Sequence, residues 1–174
     1  MIRPANDDDL PKIIRIWKDS IETNNTANDI AYAYRMNKEY WFVFDDGQIL
    51  GFVAGTVKTS DRGHISGIAV VEGYRRRGIG RELLTVAENC FILKGYKKVT
   101  LEVRLSNRSA QKLYESEGFK RTYMIKRYYP DGEDAINYEK ILVVKTENQG
   151  AIGHAKGNGL KNEASEDVVW RFWR

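Results

Sequence analysis

Several protein classes are excluded by what this 174-residue sequence lacks. It has one cysteine, Cys90, so no disulfide can form within the chain. A catalytic thiol needs a histidine partner, and only His64 and His154 are present, so we expect Cys90 to be a small buried hydrophobic residue. No apolar run approaches the roughly 20 residues that span a bilayer. Residues 1–10 are acidic and contain no apolar signal region, so a cytoplasmic location is expected.

Basic residues are in slight excess, with a net charge of +4 and a pI near 9.1. The tightest basic run is Arg75-Arg76-Arg77, with Arg81 shortly after it. Proteins that bind nucleic acids usually spread Lys and Arg along a whole face or helix. A small local cluster therefore favours a phosphorylated small ligand over a nucleic-acid duplex.

Helical and strand periods alternate along the first 144 residues, which are long enough for one domain. Strands are predicted at 2–4, 41–44, 49–58, 65–71, 99–103, 119–129 and 135–144, and helices at 10–21, 30–36, 80–95 and 107–118. Because the helices interleave with the strands, the predicted fold class is α/β with a mixed sheet.

The composition and periodicity of the sequence change after residue 144. Four glycines fall within ten residues from Gly150 to Gly159, without periodicity, and Val168–Arg174 is strongly apolar. We therefore predict a folded domain at 1–144 and a C-terminal appendage at 145–174. The appendage is expected to dock on its own domain or on a second copy of the chain. Docking on a second copy would give a homodimer.

The strongest motif is a strand followed by a glycine-bearing turn and a helix. A helix start offers unpaired N–H groups and a positive dipole end, and both favour a phosphate group. Glycines let the backbone approach such a ligand closely, and the arginines add charge-assisted contacts. The spacing fits neither the dinucleotide fingerprint nor a P-loop. The motif predicts a pyrophosphate cradle, the alternative being a helix start with solvated arginines. Its residues are Ile68, Ala69, Val70, Arg75, Arg76, Arg77, Gly78, Ile79, Gly80 and Arg81.

The run Arg75-x-x-Gly78-x-Gly80 after this strand resembles the coenzyme A signature of the GNAT acetyltransferase superfamily. Downstream, 101–104, 106–107 and 110–119 match the second half of that superfamily. The segment 128–135 resembles the RimI-type and Ard1-type protein N-terminal acetyltransferases. The resemblance implies a GNAT fold, with a mixed central sheet of about seven strands flanked by about four helices.

The same resemblance implies acetyl-coenzyme A as the cosubstrate. The backbone of Ile68, Ala69 and Val70 would bind its pantetheine arm. The turn from Arg75 to Gly80 would wrap the pyrophosphate, with Arg81 nearby, and Asn107 would also contact the cosubstrate. No metal is expected.

The resemblance also assigns catalytic roles. Tyr114 matches the general acid that protonates the departing thiolate, and a phenol of pKa about 10 suits that task. Glu102 matches the general base of RimI-type enzymes, whereas His64 matches the histidine that faces the amine in Ard1-type enzymes. Structural alternatives are a core aromatic for Tyr114, a carboxylate paired with Arg104 for Glu102, and a hydrogen-bonding partner within the strand for His64.

Tyr128 and Tyr129 match aromatic residues that wall the peptide groove, the alternative being ordinary strand aromatics. The segment 22–34 departs from the family because it lacks the Leu-Pro-Glu-Asn-Tyr sequence of Ard1-type enzymes. That loop helps to select the first residue of the substrate, so this specificity cannot be transferred. The resemblance implies a peptide or protein N-terminus as substrate, with ribosomal or auxiliary-subunit association as a further expectation.

Two other functions stay open at the sequence level. A small-amine acetyltransferase, of the polyamine type, would need an acidic pocket, which Asp19, Glu22 and Asp29 could form. A non-catalytic module that only binds coenzyme A is the other alternative, and the presence of Tyr114 and Glu102 argues against it.

Overall fold

The computed structural model describes residues 1–143, which contain one mixed sheet of seven strands. The strand order is β1-β2-β3-β4-β5-β7-β6; β4 and β5 are parallel, and all other neighbours are antiparallel. The strands are β1 Ile2–Pro4, β2 Trp41–Asp45, β3 Ile49–Thr59, β4 Arg62–Val70, β5 Lys98–Arg104, β6 Lys120–Ile125 and β7 Ala135–Ile141. The predicted α/β class and mixed sheet are confirmed.

Four α-helices accompany the sheet within the described residues, as predicted: α1 Leu10–Ser20, α2 Ala27–Asn37, α3 Ile79–Leu93 and α4 Arg108–Ser116. Local sequence explains their ends. Thr26 and Asp29 form a reciprocal capping box at the start of α2. Gly95, at a φ of +85°, follows the end of α3, where a left-handed residue is commonly glycine.

The core holds α1 and α3 against the sheet. Leu83, Leu84 and Phe91 of α3 are fully buried. Trp17 of α1 stacks on Phe52 of β3, with ring centroids 5.3 Å apart. These contacts fix both helices beside the central strands, where the functional residues lie.

A β-bulge separates β4 from its parallel neighbour. The register of β3 with β4 pairs Ala54 with Gly67 and Gly55 with Ile65, which leaves Ser66 as an extra residue in β4. A bulge bends a strand and increases its twist. The pairing of β4 with β5 stops just before this bulge, at His64 and Thr100. The two strands therefore diverge at the centre of the sheet.

Three strand predictions were wrong in their bounds by three residues or more. β7 ends at Ile141 rather than at 144. β6 ends at Ile125 rather than continuing to 129, because Arg127 adopts a φ of +50° and its N–H donates to the Asp134 carboxylate. Tyr128 and Tyr129 therefore lie in the β6–β7 loop (residues 126–134) and are not strand residues. β4 begins earlier than predicted, so His64 lies inside the strand rather than at its entry.

The predicted boundary after residue 144, the appendage 145–174 and the homodimer through it lie outside the described residues. Within residues 1–143, no helix is long and apolar enough to cross a membrane.

Candidate active site

A cavity of about 790 Å³ opens where β4 and β5 diverge. The α1–α2 loop (residues 21–26) and the β6–β7 loop border it, together with the start of α4. This volume is in the range of small-molecule and cofactor sites. Of the predicted site residues, the cavity lining includes His64, Ile68, Glu102, Asn107, Tyr114, Tyr128 and Tyr129.

His64 and Glu102, the two predicted bases, touch each other. His64 is 5% exposed, and its Nε2 lies 3.2 Å from Glu102 Oε2. Its Nδ1 lies 3.0 Å from Thr100 Oγ1. The parallel register sets His64 beside Thr100, and Glu102, two residues further along β5, points to the same face. The imidazole is therefore held at both nitrogens.

The Glu102 carboxylate is kept ionised by its neighbours. Burial acts to raise its pKa, but hydrogen bonding and charge from His64, together with a hydrogen bond from Asn137, hold the pKa below its ordinary value. Asn137 Nδ2 donates to Glu102 Oε1 at 3.0 Å, and Thr122 Oγ1 donates to Asn137 Oδ1 at 2.7 Å. The alternative pairing of Glu102 with Arg104 is not found.

Tyr114 lies on α4 with its ring among Phe119 and Tyr138, at centroid distances of 5.9 and 6.0 Å. The side chain is buried, yet it contributes to the cavity lining. Burial raises the pKa of Tyr114 above its usual value, so the phenol keeps its proton at neutral pH. Among the described residues no hydrogen-bond partner of the Tyr114 hydroxyl is found, so the proton is available to a ligand.

The start of α3 has the features of an anion cradle. Gly78 is the N-cap residue at a φ of +88° and offers no side chain to the free N–H groups of the helix. Arg76 also has a positive φ, +60°, and a Cβ added at Gly78 would meet nothing closer than Glu82 Oε1 at 3.9 Å. Beside this turn, residues 65–70 of β4 pair with β3 on one edge and with no described strand on the other.

These features fit coenzyme A. The free edge of β4 would hold the pantetheine amides through the backbone of Ile68, Ala69 and Val70. The cradle Arg76–Gly80 would hold the pyrophosphate on exposed N–H groups and arginine charge. Bound there, acetyl-coenzyme A would present its acetyl thioester at the cavity.

Not every predicted arginine is free for phosphate. Arg75 Nε donates to the Val70 carbonyl at 2.9 Å, and Arg81 Nε donates to Glu117 Oε1 at 2.5 Å. The Arg77 guanidinium lies 5.1 Å from the Tyr74 ring centroid. Asn107 caps α4 by accepting from the Ala110 N–H at 3.1 Å. Its amide nitrogen is not used in that cap.

Sequence reasoning missed two residues of the site, Thr100 and Asn137, and assigned a third, Arg104, to the wrong partner. The first two hold His64 and Glu102, and no local signal identifies them because their partners lie on other strands. Arg104 was considered only as a partner of Glu102. Its guanidinium instead stacks 4.0 Å from the Tyr129 ring centroid and forms ion pairs with Glu22 of the α1–α2 loop and Glu133 of the β6–β7 loop.

The acidic pocket considered for polyamines does not form from the predicted residues. Glu22 lines the cavity, but Asp19 faces Arg15 at 3.9 Å and Asp29 caps α2. Neither aspartate is part of the cavity lining. Among residues 1–143, no group of three or more histidine, cysteine or carboxylate side chains could hold a metal ion.

The family model for acetyltransferases of the GNAT family matches residues 9–119. The chain belongs to this family, and acetyl-coenzyme A is its cosubstrate.

Particular relatives narrow the comparison. The chain is 33% identical to the N-terminal acetyltransferase complex ARD1 subunit homolog of Dictyostelium discoideum, over 97% of this chain and 85% of that protein. Its fold matches the crystal structure of Ard1 from Thermoplasma volcanium with a TM-score of 0.79 at 28% identity, covering 83% of this chain and 98% of that one. The Escherichia coli ribosomal-protein-S18-alanine N-acetyltransferase matches with a TM-score of 0.72 at 30% identity, covering 87% and 99%.

Proposed function

We propose that this enzyme acetylates the α-amino group of protein N-termini, with acetyl-coenzyme A as donor and without a covalent enzyme intermediate. One observation carries the proposal: a proton acceptor, the His64–Glu102 pair, and a proton donor, Tyr114, line the same cavity where β4 and β5 diverge. The names of its relatives, an N-terminal acetyltransferase subunit and a ribosomal-protein-alanine acetyltransferase, support the α-amine as acceptor.

Glu102 is proposed to take the proton from the amine, directly or through a water. Its carboxylate is held ionised by His64 and Asn137, and it faces the cavity. His64 orients it, since both imidazole nitrogens are engaged. An α-amino group has a pKa of about 8, so modest assistance frees its lone pair.

Tyr114 is proposed to give its proton to the departing thiolate of coenzyme A. A phenol whose pKa is raised by burial holds its proton until negative charge develops on the sulfur. Glu102 accepts the proton of the amine, and Tyr114 supplies a different proton to the sulfur. The thiol can therefore leave while Glu102 is still protonated. Asn107 would orient the cosubstrate from the start of α4.

The charges at the cavity support a cationic acceptor. Its lining includes the carboxylates of Glu22, Glu102 and Glu133 and the cations Lys58 and Arg104. The excess is one negative charge, which matches the single charge of a protonated peptide N-terminus and not the several charges of a polyamine. Tyr128 and Tyr129 stand perpendicular to each other, with ring centroids 5.1 Å apart, and are proposed to wall the acceptor side.

The proposal is tested by coenzyme A release from acetyl-coenzyme A with short peptides that differ at the first residue. Matched peptides with a blocked N-terminus, spermidine and free lysine are the controls. Turnover with peptides that disappears on blocking is the expected result. Turnover with spermidine alone would overturn the proposal and assign the enzyme to small amines, whereas cosubstrate binding without turnover would indicate a binding module.

Association with a ribosome or an auxiliary subunit and a location in the cytoplasm belong to the same proposal. The Dictyostelium relative is named as a subunit of a complex, which supports the search for a partner. Co-sedimentation of the tagged protein with ribosomes, and fractionation of cells that express it, would check the two expectations separately.

A further inference from the structure

Arg104 connects the two loops at the mouth of the cavity. Its guanidinium lies 2.8 Å from Asp131 Oδ2 and 2.7 Å from Glu133 Oε2 in the β6–β7 loop. It also lies 3.1 Å from Glu22 Oε2 in the α1–α2 loop. We infer that Arg104 is a positioning residue that fastens these two loops together and thereby shapes the acceptor side of the cavity.

The residue is well anchored for this task. Arg104 is the last residue of β5 and pairs with Ala135 of β7. Its carbonyl accepts from Gln111 Nε2 at 3.0 Å, and Gln111 is almost fully buried at 2% exposure. The Cα of Arg104 is therefore fixed to both the sheet and α4, so the loops are held relative to a rigid point.

The contact with the β6–β7 loop is the firmer of the two. The Arg104 side chain is only 14% exposed and stacks on the Tyr129 ring. Glu133 is itself held, because its second carboxylate oxygen accepts from the Ser106 N–H at 2.6 Å. A planar guanidinium that serves two carboxylates and one ring uses geometry that lysine cannot reproduce.

The contact with the α1–α2 loop is the weaker one. The Glu22 side chain is 80% exposed, and within residues 1–143 the only other polar contact of this residue is a donation from Arg104 to its carbonyl at 3.4 Å. Exposed ion pairs contribute little and are screened by salt. The α1–α2 loop is therefore the side that can yield when an acceptor enters, while the β6–β7 loop stays in place.

This inference rests on the proposed function, because it assumes that a peptide enters between the two loops. It predicts that the contact governs acceptor binding and not the chemical step, since Arg104 forms no hydrogen bond or ion pair with His64, Glu102 or Tyr114. Loosening the contact should raise the KM for peptide and leave both kcat and the KM for acetyl-coenzyme A unchanged.

The test combines hydrogen exchange of the whole chain with steady-state kinetics for Glu22→Gln, Arg104→Gln and Arg104→Lys. Arg15→Gln is the matched control, because Arg15 forms an exposed ion pair on α1 with Asp19 outside the cavity lining. Glu22→Gln should speed exchange in residues 21–26 alone, and Arg104→Gln in both loops. Arg104→Lys should lie between wild type and Arg104→Gln, and Arg15→Gln should match wild type.

In the kinetics, Glu22→Gln should raise the KM for peptide roughly five-fold at low salt, as a weak exposed ion pair would. Unchanged exchange in 21–26 for both Glu22→Gln and Arg104→Gln would overturn the inference. A fall in kcat with an unchanged peptide KM would also contradict it. The exchange result does not need turnover, so it stands or falls separately from the proposed function.

Discussion

The imidazole of His64 and the carboxylate of Glu102 are in contact across the parallel pair of strands, with Nε2 and Oε2 3.2 Å apart. Thr100 engages the other ring nitrogen of His64, and Asn137 donates to the other carboxylate oxygen of Glu102. Four side chains from three strands thus act as one buried unit. A substitution at His64 should therefore alter the function of Glu102, and the reverse.

The first prediction concerns that coupling. Glu102→Gln should lower kcat roughly 100-fold, because the proton acceptor is lost. His64→Phe should lower it too, since Glu102 loses the partner that orients it, and the double variant should be little worse than Glu102→Gln alone. A double-mutant cycle on kcat measures this. Fully additive losses would mean that the two residues act independently.

The second prediction concerns Tyr114. Tyr114→Phe should lower kcat by roughly 100-fold, because the proton donor to the thiolate is removed. The ring packing against Phe119 and Tyr138 stays, so thermal stability and affinity for coenzyme A should remain close to wild type. Calorimetric titration with coenzyme A and a melting curve provide those controls. Wild-type turnover in this variant would remove Tyr114 from the mechanism.

The third prediction concerns the cradle at the start of α3. Gly78→Ala should raise the KM for acetyl-coenzyme A, because alanine disfavours a φ of +88° and the backbone would shift. Gly95→Ala is the matched control, since it has a similar φ of +85° at the other end of α3. Both variants should lose stability, but only Gly78→Ala should bind the cosubstrate more weakly. Equal KM values would argue against the cradle.

The fourth prediction concerns packing beside the cavity. A Cβ at Gly67 would lie 2.6 Å from a ring carbon of Trp17, and that indole is locked against Phe52. Gly67→Ala should therefore destabilise the protein by about 1–3 kcal/mol, measured by urea unfolding. Gly73→Ala is the control, because a Cβ there would meet no atom within 4 Å. Similar midpoints for the two variants would contradict the packing argument.

The fifth prediction concerns acid stability. Hydrogen bonds from Arg3, at 2.6 and 2.8 Å, hold the pKa of buried Asp9 below its ordinary value. Since the folded pKa lies below the unfolded one, this contribution is complete above the unfolded pKa of about 3.9 and is lost as the pH falls through the folded pKa. Asp9→Asn should cost about 1–3 kcal/mol at pH 7 and flatten the acid limb of stability.

Chemical unfolding from pH 7 down to pH 2 would check this, with the exposed turn residue Asp46 changed to Asn as the control. An acid limb as steep in Asp9→Asn as in wild type would show that other carboxylates control it.

Most elements could be predicted from local patterns, because caps, glycines and apolar periods act within a few residues. The register between β4 and β5 could not, since strand pairing depends on residues far apart in sequence. His64 and Glu102 consequently looked like alternatives in the sequence, although the register joins them. The bulge at Ser66 has no local signal either, and it lies where β4 and β5 part and the cavity opens.

The β6–β7 loop shows that a local prediction can also fail because of a contact close in sequence. The aromatic run at 128–129 favours a strand by propensity, but the side chain of Asp134 captures the Arg127 N–H and turns the chain first. A short polar contact thus overrides the propensity of two tyrosines. The β6–β7 loop nevertheless places both tyrosines in the cavity lining, where we propose that they face the acceptor.

Only three residue pairs join β4 to β5. The sheet is therefore divided into a group of four strands, β1 to β4, and a group of three, β5 to β7, with a short region of pairing between them. Past those three pairs, one edge of the β4 backbone keeps a row of polar groups that no strand of residues 1–143 satisfies. A pantetheine chain bound along this edge would make the hydrogen bonds that a neighbouring strand makes elsewhere in the sheet. Binding of acetyl-coenzyme A would then link the two groups of strands more firmly and raise the melting temperature. The thermal stability of the enzyme would therefore increase with the concentration of its acetyl donor.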